Sequence, residues 1–303
     1  MPPAIELKNL SKIYGTGRNQ QVALTDVTFA VPQGHVYGFA GPNGAGKSTT
    51  LKILVGLVQA SSGTASVFGD PCGTPQARSR VGFLPEVTLY HEFMSVIELL
   101  KIHAHLAQVP SSDQEARCQQ VLEDVELWDR RKSRIKELSK GMKQRFGIAQ
   151  ALIGNPELLI LDELTSGLDP HAQQALLTML LRLAEKGMTI FFSSHHLSEI
   201  EKVCDSVTIL HRGTVRVSGS LDELLGGQKQ VALRASFENI DSDFLSDWTP
   251  EIDGSYSCVI DQESCNERLD QIRGKGGQII SLESTRLPLE HLFNRLTSDE
   301  EAP

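Results

Sequence analysis

Three things are scarce in this chain of 303 residues. The first is long apolar runs. The strongest window, Ile53 to Val58, is six residues with a glycine inside it, against the roughly 18 that a membrane span needs. The second is cysteine. The five present (Cys72, Cys118, Cys204, Cys258 and Cys265) are an odd number, spread out, with no CxxC pair. They fit buried thiols in a reducing cytosol better than a disulfide frame or a zinc site. The third is positive charge: 29 Lys+Arg stand against 38 Asp+Glu, a formal net of −9. Such a chain is poorly suited to holding nucleic acid by phosphate neutralisation over its whole surface. Met1 to Glu6 show no basic region leading into an apolar run, so no secretory signal is expected. The 40% hydrophobic and 22% charged composition excludes wholesale disorder and collagen-like repeats. A cytoplasmic chain that does not cross a bilayer by itself is expected.

The acid is unevenly spread. Residues 1–221 carry 22 basic and 21 acidic side chains, whereas residues 222–303 carry 7 and 17. The length allows about two domains. A near-neutral body, 1–225, is therefore expected to precede an acidic accessory domain, 226–303, with Leu225-Gly226-Gly227 as linker. Residues 4–14 and 22–31 alternate as half-buried strands do. Val36 to Ala40 is a short apolar strand running into a glycine-rich turn, with a helix over 47–56. Apolar spacing of three and four predicts amphipathic helices over 92–109 and 114–128. With a further helix over 140–153 they form a helical segment at about 87–153. Strands at 158–161, 189–193 and 207–210 then alternate with helices at 171–186 and 198–204, the pattern of a largely parallel sheet covered by helices. In the tail, strands at 230–237, 255–261 and 277–284 and helices at 265–273 and 288–297 suggest a small α+β domain.

Gly41-Pro42-Asn43-Gly44-Ala45-Gly46-Lys47-Ser48, followed by Thr49, fits the phosphate-loop pattern G-x-x-x-x-G-K-[ST]. Glycines permit the backbone angles that turn successive N–H groups inward around polyphosphate oxygens. The helix starting at Lys47 adds its positive dipole end. Lys47 can reach the β- and γ-phosphates of a nucleotide, and the Ser48 hydroxyl can ligate Mg²⁺. Leu158-Leu159-Ile160-Leu161-Asp162-Glu163 is an apolar strand that delivers two carboxylates at its carboxyl end. Asp162 suits the Mg²⁺ shell. Glu163 points elsewhere and can polarise an attacking water as general base.

Leu138-Ser139-Lys140-Gly141-Met142-Lys143-Gln144-Arg145 resembles the LSGGQ-type signature of ATP-binding cassette (ABC) ATPases. Leu164 to Pro170 looks like that family's segment from Walker B to the D-loop, and Ser193-Ser194-His195 like its switch histidine. The resemblance covers roughly residues 4–225. It implies an α/β P-loop NTPase of the ABC type, with a RecA-like core, an antiparallel β subdomain and a helical subdomain. It also implies ATP and Mg²⁺, with Tyr14 stacking on adenine. Two copies would sandwich two nucleotides head to tail, with Ser139 and Gly141 at the γ-phosphate held by the other copy. Asp169 would contact the opposite subunit, and His195 would touch the γ-phosphate and hold the water of Glu163 in line. In physical terms, Ser139 can cap the helix at Lys140, and Gly141 leaves N–H groups unobstructed at a positive dipole end.

The resemblance further implies the motor subunit of an exporter-type transporter, on the cytoplasmic membrane face, driving a separately encoded integral membrane permease that docks near Phe83 to Glu92. A non-transport ABC ATPase acting on ribosome or DNA is the other reading. A single cassette, a short helical insertion and an acidic tail favour transport, and no nucleic acid partner is expected. Three positions depart from the family pattern. Lys140 replaces a glycine, Leu164 stands where proline is usual, and Glu86 takes the place of the Q-loop glutamine, where it still has the reach for Mg²⁺ or its water. Weaker signals remain. His196 reads as polar surface, and His103 and His105 as facing different sides of one helix. Arg130, Arg131, Lys132, Arg134 and Lys136 read as a solvated helix end or a docking face. Arg286 to Phe293 resembles the closing helix of exporter-type accessory domains.

Overall fold

The computed structural model describes residues 2–226, 229–237, 244–245, 247–251, 253–286 and 289–298. The chain divides into two units, Met1–Ser220 and Leu221–Pro303. In the first, β1 (Ile5–Tyr14) and β2 (Gln21–Val31) pair antiparallel, and β3 (Val36–Ala40) leads into α1 (Lys47–Leu54). Then come β4 (Ser62–Val67), β5 (Asp70–Pro71), α2 (Pro75–Ser79) and β6 (Val81–Leu84). The helices α3 (Val96–Leu106), α4 (Gln114–Asp124) and α5 (Lys140–Leu152) follow. The unit ends with β7 (Leu158–Asp162), α6 (Pro170–Glu185), β8 (Thr189–Ser194), α7 (Leu197–Val203), β9 (Ser206–His211) and β10 (Thr214–Ser220).

A six-stranded sheet runs β10-β9-β3-β8-β7-β6, parallel except for β10, and a four-stranded antiparallel sheet runs β2-β1-β4-β5. β3, β7 and β8 are buried along their whole length, as near-continuous apolar strands covered on both faces must be. One aromatic cluster ties the two sheets together. Phe29 of β2 lies 5.5 Å from Phe39 of β3, which lies 5.3 Å from Phe191 of β8. Each such buried ring contributes about 1.5–3 kcal/mol.

Helix α3 starts at Val96, later than expected, because Ser95 and Glu98 close a reciprocal capping box: the Glu98 N–H donates to Ser95 Oγ and the Ser95 N–H to Glu98 Oε2. Glu126, in the left-handed region, follows the end of α4 four residues before the expected limit of 128. The strands β4, β5, β6 and β10 have no counterpart in the sequence reading. They are short or polar and take their order from partner strands. The β9–β10 hairpin turns at Arg212-Gly213, both with positive φ, the conformation a two-residue hairpin loop requires. Gly82 of β6 packs against α5 so closely that a β-carbon there would lie 2.3 Å from the Ala151 carbonyl oxygen. A Gly82→Ala substitution is therefore expected to destabilise the unit by about 1–3 kcal/mol, read as a lower Tm. An unchanged melting curve would mean the helix–strand contact relaxes freely.

The second unit begins with α8 (Leu221–Gly226). Leu225 and Gly226, expected in a linker, instead end this helix, and Gly227 lies outside the described residues. Leu221 and Leu225 stand one turn apart and are both buried, an apolar stripe that favours helix over linker. β11 (Lys229–Ser236), β12 (Thr249–Pro250), β13 (Tyr256–Asp261) and β14 (Gln278–Arg286) form an antiparallel sheet ordered β12-β13-β11-β14. The helices α9 (Cys265–Gly274) and α10 (Leu289–Ser298) complete the described unit. Its core gathers Val231, Leu233, Ala235, Trp248, Cys258 and Ile272. In the expected closing-helix motif, Leu287 and Pro288 lie outside the described residues.

Candidate functional site

The phosphate loop joins β3 to α1, and two of its glycines are structurally obligatory. Gly41 has φ +154 and Gly46 φ +110. A β-carbon would lie 2.2 Å from the Leu210 carbonyl oxygen at the first and 2.6 Å from Leu24 Cδ2 at the second. Lys47 opens α1 and is buried. Its ammonium donates to the carbonyls of Gly41 at 2.7 Å and Pro42 at 3.3 Å. It also lies 3.1 Å from Glu163 Oε1, with the two side chains only 5% and 9% exposed. The other oxygen, Glu163 Oε2, is 2.6 Å from His195 Nδ1. One carboxylate thus bridges the phosphate-loop lysine and the histidine at the end of β8.

The sheet register brings this about. β7 and β8 pair in parallel with Asp162 opposite Ser193, so Glu163 and His195 leave the same sheet edge on neighbouring strands. Glu163 itself has φ +48, a left-handed conformation unusual for a residue with a side chain. Its N–H is held by the Ser193 carbonyl at 3.2 Å and by Ser193 Oγ at 3.1 Å. The same Ser193 hydroxyl donates to Asp162 Oδ1 at 2.6 Å, which orients the Asp162 carboxylate.

A cavity of about 360 Å³ opens over the loop. Pro42, Asn43, Gly44, Gly46, Lys47, Ser48 and Thr49 line it, joined by Tyr14, Glu86, Glu163 and His195. Gly41 contributes its carbonyl to Lys47, and Ala45 is buried. Lys12 Nζ sits 4.8 Å over the Tyr14 ring. Ser139, Gly141 and Asp169 do not line this cavity. They form a second group. Ser139 caps α5 by accepting the Met142 N–H at 3.3 Å, and Asp169 caps α6 by accepting the N–H groups of His171 and Ala172. A β-carbon at Gly141 would touch Ala172 at 3.5 Å, and one at Gly167 would overlap the Lys140 ammonium. The starts of α5 and α6 are therefore neighbours, and the Lys140 side chain reaches the turn before Asp169.

Four polar residues at this edge received no role from the sequence: Ser193, Ser194, Thr165 and Glu199. Ser193 and Ser194 were visible only as flanks of His195. Glu199, buried one helical turn beyond His195, reads in sequence as an ordinary solvated acid.

A second cavity, of about 580 Å³, lies between β6, α3 and α5, lined among others by Gly82, Leu84, Leu99, His103, Gly147 and Gln150. Tyr90 closes one side, its hydroxyl donating to the Lys143 carbonyl at 3.2 Å and its ring 5.4 Å from Phe146. His103 hydrogen-bonds Gln150. Burial, and secondarily the neighbouring His91, hold its imidazole below the ordinary pKa. His105 is exposed on another side of α3, and His196 is exposed with its ring 3.9 Å from that of His195. Leu89, 94% exposed, lines this groove, and Val87 and Phe93 on the same segment are exposed as well. In the adjoining basic run, the Arg131 guanidinium lies 4.3 Å over Trp128 and Lys136 Nζ 5.4 Å over Phe93. No described helix is long and apolar enough to cross a membrane.

Comparison with known proteins gives this geometry its family. Residues 24–166 match the family model described as ABC transporter. An uncharacterized ABC transporter ATP-binding protein of Nostoc sp. is 40% identical over 301 residues, covering 96% of this chain and 89% of the relative. Nod factor export ATP-binding protein I of Burkholderia orbicola is 33% identical, covering 98% and 97%. A solved ATP-binding subunit of an ABC transporter superposes with a TM-score of 0.63 at 36% identity, over 73% of this chain and 91% of that one. This chain belongs to the ATP-binding proteins of ABC transporters, the ATP-hydrolysing motor subunits that act with a membrane permease.

Proposed function

We propose that this motor drives export, working as a head-to-tail pair of copies on the cytoplasmic face of a membrane beneath a separately encoded permease. The full-length likeness to a relative named for Nod factor export supports the direction of transport. The observation that carries the catalytic reading is the bridging Glu163, 3.1 Å from Lys47 and 2.6 Å from His195. In this reading the loop N–H groups and Lys47 hold the β- and γ-phosphates, and the phosphate competes with Glu163 for the lysine. Glu163, released from the ammonium, takes the proton of the attacking water. His195 keeps the carboxylate aimed and reaches the γ-phosphate. Tyr14 offers adenine the ring face opposite Lys12. Of the second group, Ser139 and Gly141 face the nucleotide of the other copy and Asp169 contacts that copy itself, which accounts for the group's separation from the first cavity.

The donor set at the loop suits Mg²⁺. Ser48 and Glu86 line the cavity, whereas Asp162, oriented by Ser193 at the end of β7, is buried and does not line it. All three offer oxygen, and Mg²⁺ is ordinarily held by one or two carboxylates together with phosphates and water. When bound there, the ion neutralises charge on the β- and γ-phosphates. The body, Met1–Ser220, is read as the ATPase and the acidic tail as an accessory domain.

The groove between β6, α3 and α5, lined by exposed Leu89 with Val87 and Phe93 exposed on the same segment, supports docking of a short amphipathic helix from the permease. Extracted in detergent from its native host, the chain is expected to come with an integral membrane protein. Leu89→Asp is expected to release that protein while ATP binding persists. Recovery with ribosomes or DNA, and no membrane protein, would overturn the transport reading.

A further inference from the structure

Behind the Glu163–His195 pair lies a buried polar knot with no assigned role. Glu199, in the first turn of α7, is 6% exposed, and its hydroxyl partners Thr165 and Ser194 are 3% and 1% exposed. The Thr165 hydroxyl lies 2.7 Å from both carboxyl oxygens of Glu199, and the Ser194 hydroxyl donates to Oε2 at 2.8 Å. Ser194 Oγ also accepts the N–H of His196 at 3.0 Å, and the Glu199 N–H donates to the His196 carbonyl at 3.1 Å. Burying a carboxyl is costly unless hydrogen bonds compensate it, and an aliphatic side chain would fill the same space without that cost. The knot therefore calls for a reason other than packing.

Its partners supply one. Thr165 stands two residues beyond Glu163 on the turn that runs to Asp169, and Ser194 immediately precedes His195. We propose that Glu199 is a positioning residue for ATP hydrolysis, clamping the turn after Glu163 to the strand end that presents His195. The inference rests on reading Glu163 and His195 as the catalytic pair. Glu163 needs such support, because its left-handed backbone is held from β8 by Ser193 and otherwise by a bond within its own turn, the Ser166 N–H donating to its carbonyl, and Glu199 ties that turn down through Thr165. A carboxyl suits this task. Two acceptor oxygens take two hydroxyl donors at once, whereas the amide of glutamine offers one acceptor oxygen and two donors. The clamp also links the turn carrying Asp169 to the His195 segment, so the two move together.

The test is steady-state ATPase turnover, equilibrium ATP binding and thermal unfolding on the full chain. It compares Glu199→Gln, Thr165→Val, the double variant and Thr165→Ser, with Glu163→Gln as reference. Loosening the catalytic pair by a fraction of an ångström to an ångström is expected to lower kcat about 10–100-fold in Glu199→Gln and in Thr165→Val. ATP affinity is expected to stay at the parental value in both. The double variant should lose no more than the worse single, because both cut one network. Thr165→Ser, which restores the hydroxyl, should recover most of the turnover. Parental kcat in both singles, or ATP affinity falling in step with kcat, overturns the proposal. So does a loss that disappears when rates are expressed per folded molecule. Should Glu199→Gln fail to fold, Thr165→Val carries the same comparison, since it keeps the carboxyl and its Ser194 bond. If Glu163→Gln retains turnover, the catalytic reading fails first. If Glu163→Gln is inactive and the clamp variants are not, only the clamp fails.

Discussion

A Glu163→Gln variant is expected to bind ATP at least as tightly as the parent and to hydrolyse it about 10²–10⁴-fold more slowly, the range lost with a general base. Glutamine keeps the shape of the side chain and its place between Lys47 and His195, but it takes no proton from water. Removing the charge also removes the competitor that lies 3.1 Å from the Lys47 ammonium. The lysine is not stranded by this, because the carbonyls of Gly41 and Pro42 still accept from it at 2.7 and 3.3 Å. Phosphate therefore meets less resistance, and binding is preserved while chemistry stops. Equilibrium nucleotide binding and single-turnover hydrolysis separate the two. Parental turnover in this variant would remove Glu163 from the role of base.

Lys47→Met should do the reverse and fail at binding. Methionine fills most of the same space without the ammonium, so the phosphates lose a charge-assisted hydrogen bond of about 1.5–3 kcal/mol. That corresponds to an ATP affinity roughly 10–100-fold weaker, and turnover falls below detection. A structural cost comes with it. The Glu163 side chain, 9% exposed, loses its ammonium and keeps His195 at 2.6 Å. Removing one partner of a buried pair costs up to about 3–5 kcal/mol, and the remaining histidine offsets part of that. A lower Tm, with weaker upward shift on adding ATP, is the expected result. Parental affinity would show that the loop N–H groups hold the nucleotide without the lysine.

Much of this site is legible in sequence because its parts are local. The phosphate loop needs glycine where the backbone enters positive φ, and Gly41 and Gly46 do so. The strand carrying Asp162 announces itself as an unbroken apolar run. Other elements left no such mark. β4, β5 and β10 are short or polar, and β6 carries Gly82 because α5 packs against it. α8 leaves no mark because Gly226 reads as a linker residue, while the buried stripe that favours helix is only Leu221 and Leu225, one turn apart. Glu199 was invisible for another reason: an acid on a short helix looks solvated until its hydroxyl partners, 34 and 5 positions away, are known.

By itself, then, the sequence determined the chemistry available: a phosphate cradle, a lysine, two carboxylates at a strand end, a capped signature helix and a histidine after a strand. Backbone angles, helix caps and apolar runs are local properties, written within a few residues. Only the tertiary structure decided which of these groups meet. The pairing of β7 with β8 sets Glu163 against His195, 32 positions away. Tyr14 and Glu86 share the cavity of the phosphate loop, whereas Ser139, Gly141 and Asp169 gather at the starts of α5 and α6. Strand order and sheet register make these choices, because they depend on packing among segments far apart in the chain, and no short window of sequence contains them.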